Sequence, residues 1–388
     1  MENNRVGINQ LALLYLLAIA GGKFLTLPSI LANDVGHDSW LVLAFGFLWD
    51  AICLTFLLWA IKLNKDSKFD LSAVLNKTVT KAVCKIVMAL FFVIFIIRAN
   101  ILIASCYKMF AVTFDVSTNL IVFVAPVAAL SFFAVKLGFN AVARTGQLLF
   151  GIVFISVLFL ILSPVSQISL TSLLPVGEAG WGNIVKTSFE RSFWFSDYLF
   201  FYFVMDSIEV KKGKVFSPVL VAFFVGALVS IGMNAVFVAL YGSMAKDVDL
   251  AMSKIGVYFV SNSSNGRWDW LTLSIWLMSV FLKIIVFIYC AYKSLEKLFE
   301  FKSSKLNAYA VIFITLTLML PMLISTDVVL STVVAWGLIP FALLQYVLPI
   351  AMPFLVKAAQ VKSGMTDLRR AIKNTARRSE KLKEATNE

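Results

Sequence analysis

Runs of about twenty apolar residues alternate with short polar connections along most of this chain. A hydrocarbon core of ~30 Å takes roughly 20 helical residues to cross. The segments that meet this length are 8–32, 39–61, 83–107, 119–135, 142–166, 183–206, 216–241, 269–292, 306–325 and 328–356. The pattern therefore predicts an all-α integral membrane protein, with a transmembrane domain of about ten spans over 1–356 and a basic tail over 357–388. Two spans interrupt the pattern. Span one carries Gly21-Gly22 at its middle and Pro28 shortly after. Paired glycines form helix poorly, and Pro28 cannot donate to the carbonyl of Phe24. Together they predict an unwound stretch whose freed amides and carbonyls suit a polar ligand. Close helix packing at the glycines with a simple proline kink is the alternative. Span six has no Gly or Pro, yet it gathers Glu190, Arg191, Ser192, Ser196 and Asp197 where other spans are apolar. The two irregular spans are five helices apart, the spacing of two five-helix repeats of opposite topology with helices one and six broken.

Charge sets the expected orientation. The N-terminus, 62–82, 136–144, 207–215, 293–305 and the tail carry 24 Lys and Arg, whereas the opposite connections carry four. Basic residues are retained on the cytoplasmic side, so both termini are expected there, in a multi-pass cell (inner) membrane protein. The net charge of +12 does not point to nucleic acid, because the bases sit in short loops and a tail between apolar spans. The tail is either attracted to anionic lipid headgroups or simply solvated. Composition agrees with a membrane setting, with 60% of residues hydrophobic and 14% charged.

A few charges remain at membrane depth. They are Lys23, Arg98, Arg191 and Lys283 among the bases and Asp50, Glu190 and Asp197 among the acids. A charge in hydrocarbon costs ~2.5–3.5 kcal/mol on insertion scales, so such groups face a partner or a polar cavity. Arg98 and Lys283 occupy equivalent depths in spans three and eight, the same five-helix shift again. The expected ligand site has Gly21, Gly22 and Lys23 on one wall and Ser192, Phe193, Ser196 and Asp197 on the other. The glycine amides and Lys23 would receive a carboxylate, and Asp197 an ammonium group. Lys283, Arg98, Asp50, Glu190 and Arg191 are expected to serve coupling or ion pairing, with Asp50 or Asp197 as partner of Lys283. His37 is the only histidine and the four cysteines are scattered singly, so no metal set, cofactor motif or nucleophile–base arrangement points to an enzyme. A scaffold without a ligand site would not need buried charges.

Three stretches carry a resemblance. GGKFLTLPSILANDVGHDSWL (21–41) resembles the first-helix signature of the spore germination permease family, through Gly21, Leu27-Pro28, Asp38 and Trp40. GFNAVARTGQLL (138–149) resembles the opening of that family's span five, with Gly138, Ala143 and Arg144. LLPVGEAGWGNIVKTSFERSFWFSDYLFF (173–201) resembles its approach to span six. The chain departs from the pattern at Asp197, where glutamate is commoner, at Ser196 in place of glycine, and at the charged Lys23. The resemblance, over 8–356, implies the five-plus-five fold of the amino acid–polyamine–organocation superfamily. It also implies a B-type subunit of a nutrient germinant receptor, which binds or transports a small amino-acid-like germinant and works with A-type and C-type subunits in the spore inner membrane. A free-standing proton-coupled amino acid permease is the alternative. In that fold span eight packs beside the break in span one, where sodium-driven members hold their ion and where Lys283 would bring a permanent charge.

Overall fold

A computed structural model describes residues 6–64, 69–114, 120–208, 216–251, 253–256, 268–299, 338–363 and 365. Span nine, the first part of span ten and the tail beyond 365 lie outside the described residues. What is described is helical almost throughout, and its one β feature is an isolated parallel bridge between Val6 and Ile208.

Span one is two helices, α1 (Ile8–Gly22) and α2 (Leu27–Val35), separated by Lys23–Thr26. Both glycines stay inside α1, so the break lies just past the position the glycines suggested. Pro28 sits in the first turn of α2, where its missing N–H has no helical partner to lose, so it opens a helix instead of kinking one. The glycines serve close packing. A Cβ on Gly21 would lie 2.9 Å from Ser279 Oγ, and one on Gly22 would lie 2.9 Å from Leu102 and 3.2 Å from Lys283 Nζ. Gly36, at φ 62°, ends α2 and returns its amide to Ala32 O.

The remaining elements follow the expected spans closely. They are α3 (Ser39–Leu63), α4 (Leu71–Thr78), α5 (Lys81–Phe114), α6 (Leu120–Leu137) and α7 (Phe139–Leu162). Span six begins as α8 (Trp181–Glu190) and ends in short helical turns that include α9 (Phe201–Val204). After it come α10 (Phe216–Tyr241), α11 (Trp268–Phe299) and α12 (Ile339–Ser363), the last with a π-helical stretch at Leu343–Val347. α3, α5, α7, α10, α11 and α12 are long and apolar enough to cross a bilayer. Large apolar side chains such as Leu148, Ile155 and Leu228 point outward, as a lipid-facing surface requires.

α1 packs against α7, α10 and α11, while α11 also lies along α5. The inner turns of span six are wholly buried among these helices, with Tyr15 against Phe200, Phe201 and Phe223. Both broken helices therefore run through the centre of the bundle. They are tied at one end by the Val6–Ile208 bridge and at the other by Arg191, whose Nε and Nη2 donate to Asp34 at 2.7 and 2.8 Å.

Candidate functional site

The break in span six has a tertiary cause. Ser196 adopts a left-handed conformation, φ 62°, which stops the helical path. Asp50 of α3 holds it there, accepting from Ser196 N at 2.6 Å and from Ser196 Oγ at 2.9 Å. Arg98 of α5 donates to the freed carbonyls of Phe195 (2.6 Å) and Ser196 (3.3 Å). Gln345 of α12 donates to Ser192 O at 2.8 Å. Three helices thus satisfy a stretch of backbone that would otherwise be costly to bury. Gly46 makes room for it, since a Cβ there would fall 2.3–2.8 Å from the Phe195 ring.

The two breaks face each other. Lys23 follows the last turn of α1, and Asp197 begins the turns after the span-six break. Each charge suits the helix end it occupies, positive at a C-terminus and negative at an N-terminus. They meet directly, with Lys23 Nζ donating to Asp197 Oδ2. The other oxygen, Oδ1, lies 2.8 Å from Lys283 Nζ of α11. Lys283 therefore pairs with Asp197, while Asp50 spends its carboxylate on Ser196. Lys23, Asp50, Arg98, Asp197 and Lys283 are each no more than 4% exposed. Aromatic faces back the cations: Lys23 lies 5.3 Å from the Phe47 ring centroid, Arg98 5.3 Å from Phe193, and Lys283 5.7 Å from Phe287.

A cavity between these groups is lined by Gly22, Lys23, Arg98, Phe193, Asp197 and Lys283, with Ile101, Leu102, Trp194 and Phe287. Its free volume of about 20 Å³ holds little more than a water molecule. The ion cluster fills the centre, and a larger ligand requires it to rearrange.

Gly22, Lys23, Phe193, Asp197, Lys283 and Arg98 thus come together around one cavity. Gly21 packs behind it on Ser279, and Asp50, Ser192 and Ser196 form its supporting backbone shell. Glu190 and Arg191 lie apart from it. Glu190 is 3.5 Å from Lys186 near the surface, and Arg191 pairs with Asp34. Sequence reasoning passed over Gln345 and Gly46. Both left a trace: Gln345 is the lone amide in span ten, and Gly46 lies one turn before the buried Asp50 on the same helix face.

The family model described as spore germination protein matches residues 5–327, all but the last span and the tail. The chain belongs to the spore germination protein family. Among curated proteins none matches this sequence. Of solved structures, this germination permease resembles MHP1, a nucleobase-cation-symport-1 family transporter in a closed conformation with bromovinylhydantoin bound. The identity is 13% and the TM-score 0.60, over 81% of this chain and 72% of that one. It also resembles an Eremococcus coleocola manganese transporter mutant at 13% identity and TM-score 0.46, over 91% of this chain and 76% of that one. The first likeness shows that the germination permease has a transporter fold. Family and fold are those of multi-pass membrane permeases and not of enzymes.

Proposed function

We propose that this germination permease is the membrane-embedded, ligand-binding subunit of a nutrient germinant receptor, taking a small amino-acid-like molecule at mid-membrane between its broken helices. The observation that carries the reading is the buried charge cluster of Lys23, Arg98, Asp197 and Lys283 around a cavity where both breaks meet. Charges at this depth are expensive, and a purely structural scaffold has cheaper ways to pack. The reading includes a 1–356 transmembrane domain of ten spans as a five-plus-five inverted repeat, with both termini cytoplasmic. It also includes a 357–388 tail beside anionic lipid, A-type and C-type partner subunits, and a place in the spore inner membrane. Gly22→Val tests it, because the added methyls must displace Leu102 and Lys283 from the cavity wall. Spores carrying this variant should keep the protein in the membrane and lose their germination response to amino acids. A normal response would remove the cavity from function.

The second reading is a proton-coupled amino acid permease. Lys283 against Asp197 favours it, since a buried amine–carboxylate pair can exchange protons as it opens. Uptake of labelled amino acid into proteoliposomes of the isolated protein, driven by a pH gradient, would support this reading over a subunit that only senses.

A further inference from the structure

Resting on the mid-membrane site just described, we propose that the group read on the ligand is a small anion, a carboxylate above all. Asp197 is then its built-in stand-in, which moves aside when ligand binds.

The cavity is rich in donors and short of acceptors. Three cationic side chains line it, Lys23, Arg98 and Lys283, against the single acid Asp197. Both oxygens of Asp197 are engaged, one by each lysine. The acceptors beside the span-six break are engaged too, Phe195 O and Ser196 O by Arg98, Ser192 O by Gln345, and Asp50 by Ser196. An arriving ammonium group meets three positive charges and acceptors already in use. An arriving carboxylate meets donors. Arg98 Nε is buried without a hydrogen-bond partner among the described residues. Each lysine ammonium has three protons, of which Asp197 takes one. The cations are also partly supported by rings, so they do not depend on Asp197 alone. Because the free volume is only about 20 Å³, a ligand carboxylate gains room by replacing the Asp197 carboxylate between Lys23 and Lys283. Ile101, Leu102 and Trp194 leave an apolar wall for the rest of the molecule. The ligand class is therefore a small carboxylate with an aliphatic or aromatic body. An amino acid qualifies through its carboxylate, and its amino group is dispensable.

The test uses the full-length protein in detergent at constant sodium chloride. Its melting temperature is titrated with acetate, propionate and benzoate, and with the matched amines ethylamine, propylamine and benzylamine. Wild type, Asp197→Asn and Gly22→Val are compared. The expected result is a saturable rise with at least one carboxylate, none with the amines, and loss of the rise in Gly22→Val. Asp197→Asn, though less stable without ligand, should bind the carboxylate about tenfold more tightly, because the internal competitor has lost its charge. Amines that stabilise the wild type, with Asp197→Asn abolishing the effect, overturn the inference and leave the site standing. A carboxylate effect that survives Gly22→Val is a bulk salt effect and overturns it as well. If neither series shifts the wild type, the inference falls together with the mid-membrane site. Should Asp197→Asn fail to fold, the wild-type contrast between acids and amines decides alone.

Discussion

Single residues carry most of the site's information, and their chemistry was only half legible beforehand. Lys23, Arg98, Asp197 and Lys283 stood out because a charge in an apolar span needs a reason. Asp50 and Asp197 were both open as partners of Lys283, since the choice depends on helix rotation; Asp197 takes it, and Arg191 turned to Asp34 instead of the centre. Gly46 was overlooked because a lone glycine in a span has many uses. Its use here is steric, and it yields a prediction. Gly46→Ala places a methyl against the Phe195 ring and should cost about 1–3 kcal/mol, read as a lower melting temperature in detergent. A variant as stable as wild type would contradict the packing. Lys283 yields another. Its ammonium lies 3.2 Å from where a Gly22 Cβ would be, beside the break in span one, and brings a positive charge of its own. Ligand response should therefore persist when choline replaces sodium. Lys283→Ala should lose that response and Lys283→Arg retain part of it. A sodium-dependent wild type, or a fully active alanine variant, would remove Lys283 from coupling.

At the level of helices, boundaries came close to expectation wherever apolar length alone decides them, as in α3 and α10. The breaks were harder to read. In span one the paired glycines pointed to the right region, but they stay helical, Gly21 packed on Ser279 and Gly22 on Leu102 and Lys283, and the opening shifted to Lys23–Thr26. In span six neither Gly nor Pro marks the break, and only the polar cluster from Glu190 to Asp197 hinted at it, because Asp50, Arg98 and Gln345 unwind it from a distance in sequence. The short helix α4, outside the spans, allows a pH test. Asp70 caps it, accepting from Ser72 N at 2.9 Å and from Lys297 Nζ of α11 at 2.6 Å. Burial alone would raise the Asp70 pKa, but the Lys297 charge and these hydrogen bonds outweigh it and leave the pKa below 3.8. A carboxyl lowered on folding contributes stability that is present above its unfolded pKa and lost as pH falls through the folded value. Asp70→Asn should therefore melt lower than wild type at about pH 5, with the gap closing as the pH falls through and below the ordinary carboxylate range. A gap that does not change with pH would mean that the Asp70 charge is idle.

For the whole molecule, the 24-to-4 division of basic residues predicts which face is which. Cysteine labelling in intact cells should reach position 178, where Glu178 is well exposed, and leave position 212 unlabelled until the membrane is opened. The reverse pattern would invert the orientation. Asp38 makes a poor label site because it is fully buried, accepting the amides of Gly177 and Ala179 at 2.8 and 2.9 Å. The helical membrane fold was legible because hydropathy is summed over many positions, so errors at any one of them average away. The joining of the two broken helices was not, since a β-bridge at one end and an arginine fork at the other are single contacts far apart in sequence. That joining makes the pair a linkage, two rods pinned at both tips and jointed at mid-length. A linkage of this kind cannot flex at its joints without loading its pins. On the proposed reading, a ligand that parts the joints would strain the Val6–Ile208 bridge and the Arg191–Asp34 fork together.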